Sequence, residues 1–315
     1  MSPRSPTGKM TKISVIIPLY NSARYLPSLF RNIAQQSIAA DLEFIFIDDH
    51  GGDDSLSLAR SLAASSSLKC VFGATAANGG PGAARNVGLK MAGGEYVAFL
   101  DSDDNLDPLF CEVLYESAVK YDADIAYCHI MAVKEGRTAV WSNPLIESGE
   151  FDREKRLYFL KNYKSYFTSF IYKREMLCSE GITFPATRSA EDSCFLTCAL
   201  LCARSIAMVN APLYFYILRR NSLSMGRMDN RHMQRMESFD ALLEFARSKG
   251  FYESDKEILD YLYIKKAAVG AARNRPFARR QIREHLSTQI PDWRSNALYR
   301  SDRRLRAAVL LLLGK

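Results

Sequence analysis

Short apolar runs and amphipathic stretches alternate through the first 130 residues. Ile13 to Ile17, Leu42 to Ile47, Lys69 to Phe72, Tyr96 to Leu100 and Asp124 to Ile130 predict strands, being brief β-branched or aromatic runs bounded by turn formers. Segments near 23–36, 53–64, 82–91 and 108–121 carry helical spacing between them. This rhythm predicts an α/β fold with a mostly parallel sheet flanked by helices. Nearly continuous apolar strands such as Ser14-Val15-Ile16-Ile17 fit burial on both faces, and ligands of such sheets bind at the carboxyl ends of the strands.

From about Met131 to Ala190 the pattern becomes irregular, with a hairpin expected near Val133 to Val140 and a helix near Asp152 to Asn162. This stretch is expected on the acceptor side of any site. A helix from about Asp192 to Ala203 follows, then β-rich Ile206 to Val209 and Leu213 to Ile217. Beyond Met228 the chain reads as helical, broken at Gly250, Pro276 and Pro291.

Composition adds little to this picture: 315 residues, 48% hydrophobic and 24% charged, describe an ordinary globular chain able to hold a sizeable core. Met1 to Lys12 is polar, and the longest apolar run, Ala307 to Leu313, is too short to span a bilayer, so a cytoplasmic location is expected. Seven cysteines without Cys-x-x-Cys spacing argue against a disulfide framework or a zinc ribbon. Cys194, Cys198 and Cys202 share one helical stripe, as small buried residues do.

Charge changes the picture more. Between Arg273 and Arg306 ten arginines face only Glu284, Asp292 and Asp302, so this segment holds an excess equal to the +7 of the whole chain. With Trp293, Tyr299 and the final leucines, it is either a docking face for an anionic membrane surface or a solvated basic face whose apolar residues dock on the main domain. No recognisable nucleic-acid module accompanies the charge, and no nucleic-acid partner is expected.

The chemistry gathers at the predicted strand ends. Tyr96-Val97-Ala98-Phe99-Leu100 runs into Asp101-Ser102-Asp103-Asp104, whose mutual repulsion a hard divalent ion would relieve by taking oxygen ligands from them and from a bound phosphate ester. The alternative is a solvated acidic turn before a helix capped by Asp107-Pro108. Strand one ends in Pro18-Leu19-Tyr20-Asn21 and strand two in Asp48-Asp49, where a carboxylate could meet a pyrimidine or serve only a turn. Asn78-Gly79-Gly80-Pro81-Gly82-Ala83-Ala84-Arg85 joins a glycine turn to a helix and suits an anion, with Arg85 one turn in. The P-loop lysine is absent, and the dinucleotide fingerprint lacks its third glycine. At Glu191-Asp192 two acids start a helix, and Asp192 reads as a first-turn acid or as a general base.

Taken in order, Ile13-Ser14-Val15-Ile16-Ile17-Pro18-Leu19-Tyr20-Asn21, Ile47-Asp48-Asp49, Asn78-x-Gly80 with Ala84-Arg85-Asn86-x-Gly88, Asp101-Ser102-Asp103-Asp104 and Glu191-Asp192 closely resemble the family 2 inverting glycosyltransferases of the GT-A fold. The likeness is to members that build bacterial envelope polysaccharides. Tyr214-x-Tyr216 followed by Arg219-Arg220-Asn221-Ser222-Leu223-Ser224 looks like the segment that ends many bacterial catalytic domains. The resemblance implies a catalytic domain over 12–225 and a C-terminal helical, Arg-rich region over 226–315. It also implies a nucleotide-diphosphate sugar donor, UDP by family habit, and a glycan or lipid-linked glycan acceptor.

The donor-binding set so implied is Pro18, Tyr20, Asn21, Asp49, Gly80, Arg85, Asp101, Ser102 and Asp103, with Asp49 near the base, Asp101 near the ribose and Asp103 on Mn2+ or Mg2+. Asp192 is the implied catalytic base. His50-Gly51-Gly52 departs from the small hydroxyl residues often found after the aspartate pair, and Asp104 is a further candidate for the metal. The Gln-x-x-Arg-Trp arrangement of processive synthases is missing, which favours transfer of single sugars. Two other classes remain: a silent nucleotide-sugar or glycan-binding protein on the same scaffold, and a nucleotidyltransferase, for which the segment after Pro18 supplies only Arg24.

Overall fold

The structure is a computed structural model that describes residues 10–164, 166–219, 231–272 and 276–313. Among these described residues ten strands, β1 (Ile13–Leu19), β2 (Leu42–Asp48), β3 (Cys70–Ala74), β4 (Tyr96–Phe99), β5 (Asn105–Leu106), β6 (Ile125–Lys134), β7 (Arg137–Trp141), β8 (Gly149–Glu150), β9 (Phe170–Lys173) and β10 (Ser205–Ile217), form one sheet. The helices are α1 (Leu26–Ile33), α2 (Ser55–Ala64), α3 (Pro81–Met91), α4 (Phe110–Lys120), α5 (Arg153–Asn162), α6 (Arg174–Glu180), α7 (Glu191–Cys202), α8 (Arg231–Ser248), α9 (Phe251–Ala272), α10 (Pro276–Gln289), α11 (Ala297–Ser301) and α12 (Arg303–Leu313).

By contact the chain divides into two compact units. Residues 1–152, 166–183 and 202–224 make the first, and 153–165, 184–201 and 225–315 the second. A single boundary at 225/226 is therefore too simple: α5 and most of α7 group with the C-terminal helices. Side chains tie them there, with Arg153 Nε on Asp255 Oδ1 at 2.9 Å and the Thr187 and Ser238 hydroxyls in hydrogen bond.

In the first unit the sheet runs β3-β2-β1-β4-β9-β6-β10-β5. β1 pairs in parallel with β2 and β4, and β2 with β3. β1 is buried at every position and β2 at all but its last, as expected where helices cover both faces. Stacked Phe30 and Phe46, with centroids 5.1 Å apart, belong to its core, where Leu114, Ile130 and Tyr214 are also buried. Helix α3 lies close on β1, since a Cβ on Gly88 would come within 2.4 Å of Ile16 Cγ2.

The expected hairpin is β6–β7, turning at Glu135-Gly136 with both residues at positive φ, and the expected helix after Asp152 is α5. The two runs expected at 206–209 and 213–217 are one strand, β10, whose register against β6 shifts around Pro212. The irregular stretch after Met131 is not confined to the periphery. Its residues 170–173 form β9, antiparallel between β4 and β6 near the middle of the sheet. Helix α4 starts at Phe110 rather than at Pro108: Asp107 accepts from the Leu109 and Phe110 amides and so closes a turn ahead of it.

The second unit is helical, with α8 and α10–α12 each in contact with α9. Trp293 and Tyr299 are 1% and 4% exposed and meet edge to face at 5.4 Å. They fill the interior of this unit and leave the expected membrane face to other residues. Cys194 and Cys198 are buried thiols, in keeping with their apolar stripe, and Cys202 is half-buried.

Candidate active site

β1 pairs with β4 only as far as Ile16 opposite Phe99, yet continues beside β2 to Leu19 opposite Asp48. The strand order reverses its direction of growth there, and at the carboxyl ends of such a switch point open α/β sheets present their ligand crevice. Pro18, which cannot donate to a ladder, sits in the part of β1 that has no β4 partner. Into this crevice lead the loops that follow β1, β2 and β4 and the turn before α3.

The glycine turn is built around Asp49, which is 1% exposed. Its Oδ1 accepts from the Gly79 amide at 2.9 Å and the Thr75 hydroxyl at 3.0 Å, and its Oδ2 from the Gly80 amide at 2.8 Å. Asn78 Nδ2 donates to the Asp49 carbonyl at 3.0 Å. The carboxylate is thus largely spent on holding the turn that starts α3. Gly80 takes φ +85° there, a conformation that favours glycine.

The neighbouring loops interlock. Asn21, at φ +50°, accepts from the Gly52 amide at 2.7 Å through Oδ1. A Cβ on Gly51 would approach the Asn21 amide nitrogen to 2.6 Å, which accounts for glycine where a hydroxyl residue was expected. His50 Nε2 lies 2.6 Å from the Thr75 carbonyl. Tyr20 stands 42% exposed beside this junction, its amide donating to Ser22 Oγ. Ser22 and Ser102 share a hydroxyl hydrogen bond of 2.7 Å, so the loop after β1 is fastened to the acidic loop after β4.

Each acid of Asp101-Ser102-Asp103-Asp104 has a different fate. Asp101 Oδ1 accepts from Arg85 Nη2 at 2.6 Å, and the Arg85 guanidinium lies 4.6 Å from the centroid of the Phe167 ring. Arg85 therefore braces Asp101 from a buried position. Asp103 Oδ2 accepts from Arg219 Nη1 at 2.7 Å, while the same guanidinium stacks 4.5 Å over Tyr25. Burial, and then the charge of Asp101, push the Asp103 carboxyl above the usual range, with Arg219 opposing them.

Asp104 does not belong with the metal candidates. It is 3% exposed, and its oxygens accept from the Tyr214 hydroxyl and the Ile217 amide, both at 2.8 Å. Burial, then Asp101, raise it well above the ordinary carboxyl range. Asp104 pins the acidic loop to β10, and Asp101 and Asp103 remain about one-third exposed.

Among the described residues no group of three or more His, Cys, Asp or Glu is arranged to hold a metal ion. Asp101 and Asp103 fit a cation that arrives with a diphosphate, because Mg2+ and similar ions take one or two carboxylates and complete their shell with phosphate and water. Arg219 was missing from the expected site. Its signal was the Tyr214-x-Tyr216…Arg219 run, whose remainder, residues 220–224, lies outside the described residues.

Asp192 lies in the second unit, in the first turn of α7, where its Oδ1 accepts from the Ser193 amide at 2.6 Å. It is both a first-turn acid and half-buried, so the local geometry leaves room for either reading.

Residues 14–178 match the model of glycosyl transferase family 2. The chain is 27% identical over 67% of its length to "Putative glycosyltransferase EpsH" of Bacillus subtilis, of which the match spans 62%. It is 32% identical over 69% of its length to the poly(ribitol-phosphate) beta-N-acetylglucosaminyltransferase TarS of Staphylococcus aureus, spanning 37% of that protein. The matches thus cover less than two-thirds of these relatives. In fold, it is similar to the crystal structure of S. aureus TarS 1–349 in complex with UDP-GlcNAc, with a TM-score of 0.61, 23% identity, and coverage of 92% of this chain and 91% of that one.

Proposed function

The chain belongs to glycosyl transferase family 2, and from that premise we propose that it moves one sugar from a UDP-sugar to a hydroxyl of a polysaccharide or lipid-linked oligosaccharide, inverting the anomeric configuration. The observation that carries the reading is the acidic loop. Asp101 and Asp103 sit, partly exposed, at the end of β4 beside a glycine turn that opens α3. The UDP and UDP-GlcNAc complexes of TarS support a nucleotide-sugar donor of this kind.

In this reading the base lies by Asp49 and the turn that opens α3, and the diphosphate reaches the loop after β4, where Asp101 and Asp103 stand partly exposed. Asp103 would hold Mn2+ or Mg2+, with Asp101 beside it at the ribose, fixed by Arg85. When bound, the metal neutralises charge that develops on the departing nucleotide. Tyr20, Asn21, Pro18 and Ser102 line the nucleoside side, and Asp49 offers the base what remains of Oδ2. Asp192 takes the proton of the acceptor hydroxyl as it attacks the anomeric carbon. Incubation with UDP-glucose, UDP-galactose and UDP-N-acetylglucosamine should release UDP from one of them with Mn2+ and not with chelator. Binding without release from any donor, with any acceptor, would favour the silent glycan-binding reading.

The acceptor side extends to the membrane in the same proposal. Among the described residues no helix is long and apolar enough to cross a membrane. Helix α12 nevertheless leaves Leu310 and Leu311 47% and 81% exposed, next to exposed Arg300, Arg303, Arg304 and Arg306. This face suits an anionic lipid surface. Replacing Arg303 and Arg304 by alanine should cost about 2 kcal/mol, or about 30-fold in partitioning, at about 1 kcal/mol per arginine. Sedimentation with phosphatidylglycerol vesicles reads the effect, and unchanged sedimentation would assign the arginines to a solvated face.

A further inference from the structure

A lysine drawn against the apolar face of a helical bundle is uncommon unless something holds its charge. Lys266 is half-buried on α9 beside buried Ala267, and its Nζ donates to Ser193 Oγ at 2.8 Å. Ser193, 1% exposed, donates in turn from Oγ to Asp192 Oδ1 at 3.3 Å and from its amide to the same oxygen at 2.6 Å. The Ser193 carbonyl accepts from Thr197 Oγ1 at 2.7 Å, which itself meets the Tyr163 hydroxyl at 2.7 Å. The order ammonium, hydroxyl, carboxylate has one direction, because an ammonium only donates and a carboxylate only accepts.

We propose that Lys266 is a positioning residue for Asp192: acting through the Ser193 hydroxyl, its ammonium holds the carboxylate in the orientation that receives the acceptor's proton. The inference rests on Asp192 serving as the base. Among the described residues, Asp192 on α7, Arg235 on α8 and Lys265 on its own helix are charges that act on Lys266, and the Phe239 ring on α8 lies 5.7 Å from Nζ. Burial pushes Lys266 down to about 8; Asp192 opposes this, and Arg235 and Lys265 add to it. Once the amine is neutral its nitrogen gains a lone pair. The Ser193 hydroxyl can then turn to donate to Lys266, and Asp192 keeps only the Ser193 amide.

The test follows kcat and donor KM from pH 7 to 9, reading UDP release from UDP-glucose, UDP-galactose and UDP-N-acetylglucosamine with Mn2+. In the parent, kcat is expected to fall about fivefold as pH rises through about 8, the worth of one hydrogen bond, with donor KM constant. Ser193→Ala and Lys266→Met should be about fivefold slower at pH 7 and flat across the range. Lys266→Arg should stay near the parental rate and also be flat, because a guanidinium does not titrate there. Parental kcat and a parental alkaline fall in both Ser193→Ala and Lys266→Arg overturn the inference, and these two arms decide it where Lys266→Met does not fold. Asp192→Asn separates the premises. Parental turnover in that variant overturns the base assignment itself, whereas a slow Asp192→Asn beside unaltered Lys266 and Ser193 variants overturns only the role of Lys266. UDP release from none of the donors overturns the glycosyltransferase reading on which both rest.

Discussion

Replacing Asp103 by asparagine is expected to remove the part of UDP binding that depends on Mn2+. The carboxylate is partly exposed and pushed above its usual range, first by burial and then by the charge of Asp101. A divalent cation relieves that repulsion; an amide neither supplies the charge nor suffers the repulsion. Loss of one ionic ligand from a partly buried site should weaken UDP in Mn2+ by about 100-fold, or about 2.7 kcal/mol. Affinity in chelator should hardly move. The substitution also removes the ion pair with Arg219, which keeps its hydrogen bond to the Asp103 carbonyl; this partly exposed pair contributes only about 0–1 kcal/mol to the fold, so thermal stability should change little. Calorimetric titration with parental affinity in Mn2+ would remove Asp103 from the donor site.

Asparagine at position 192 should separate binding from transfer. The amide oxygen can still accept from the Ser193 amide, so the start of α7 keeps its hydrogen bond. An amide cannot take a proton from the acceptor. Transfer should fall by about 10²- to 10⁴-fold, the usual range for a lost general base. UDP affinity should match the parent, because in this account Asp192 meets the acceptor and not the nucleotide. Equal transfer rates would return Asp192 to the role of a first-turn acid that complements the helix dipole.

Much of the fold was legible because its strands are short, dense apolar runs with glycine or acidic turns at their ends. β1, β2 and β4 announced themselves this way, and so did the loops that carry Asn21, Asp49 and Asp101. β9 did not: Phe170-Ile171-Tyr172-Lys173 is four residues long, and such a run carries too little periodicity to separate strand from helix. Its place beside β4 comes from long-range pairing, which no local pattern encodes.

The site shows the same division. The acids were visible as a cluster, but their separate fates depend on partners more than 100 residues away. Asp104 is spent on Tyr214 and Ile217, and Asp103 is paired with Arg219. Arg85 looked available for a phosphate from its position after the glycines; the fold turns it onto Asp101. Trp293 and Tyr299 read either as membrane anchors or as apolar residues that dock within the protein beneath a solvated basic face. They are core residues because α11 and α12 fold back on α9, leaving Leu310 and Leu311 as the exposed apolar pair.

A crystal structure of the protein soaked with UDP and Mn2+ tests the central claim most directly. The account predicts a cation joined to an Asp103 carboxylate oxygen at about 2.1 Å and to diphosphate oxygens at a similar distance, with Arg219 displaced from its present partner. Nucleotide bound in the crevice with Asp103 still paired to Arg219, and the cation elsewhere, would contradict it.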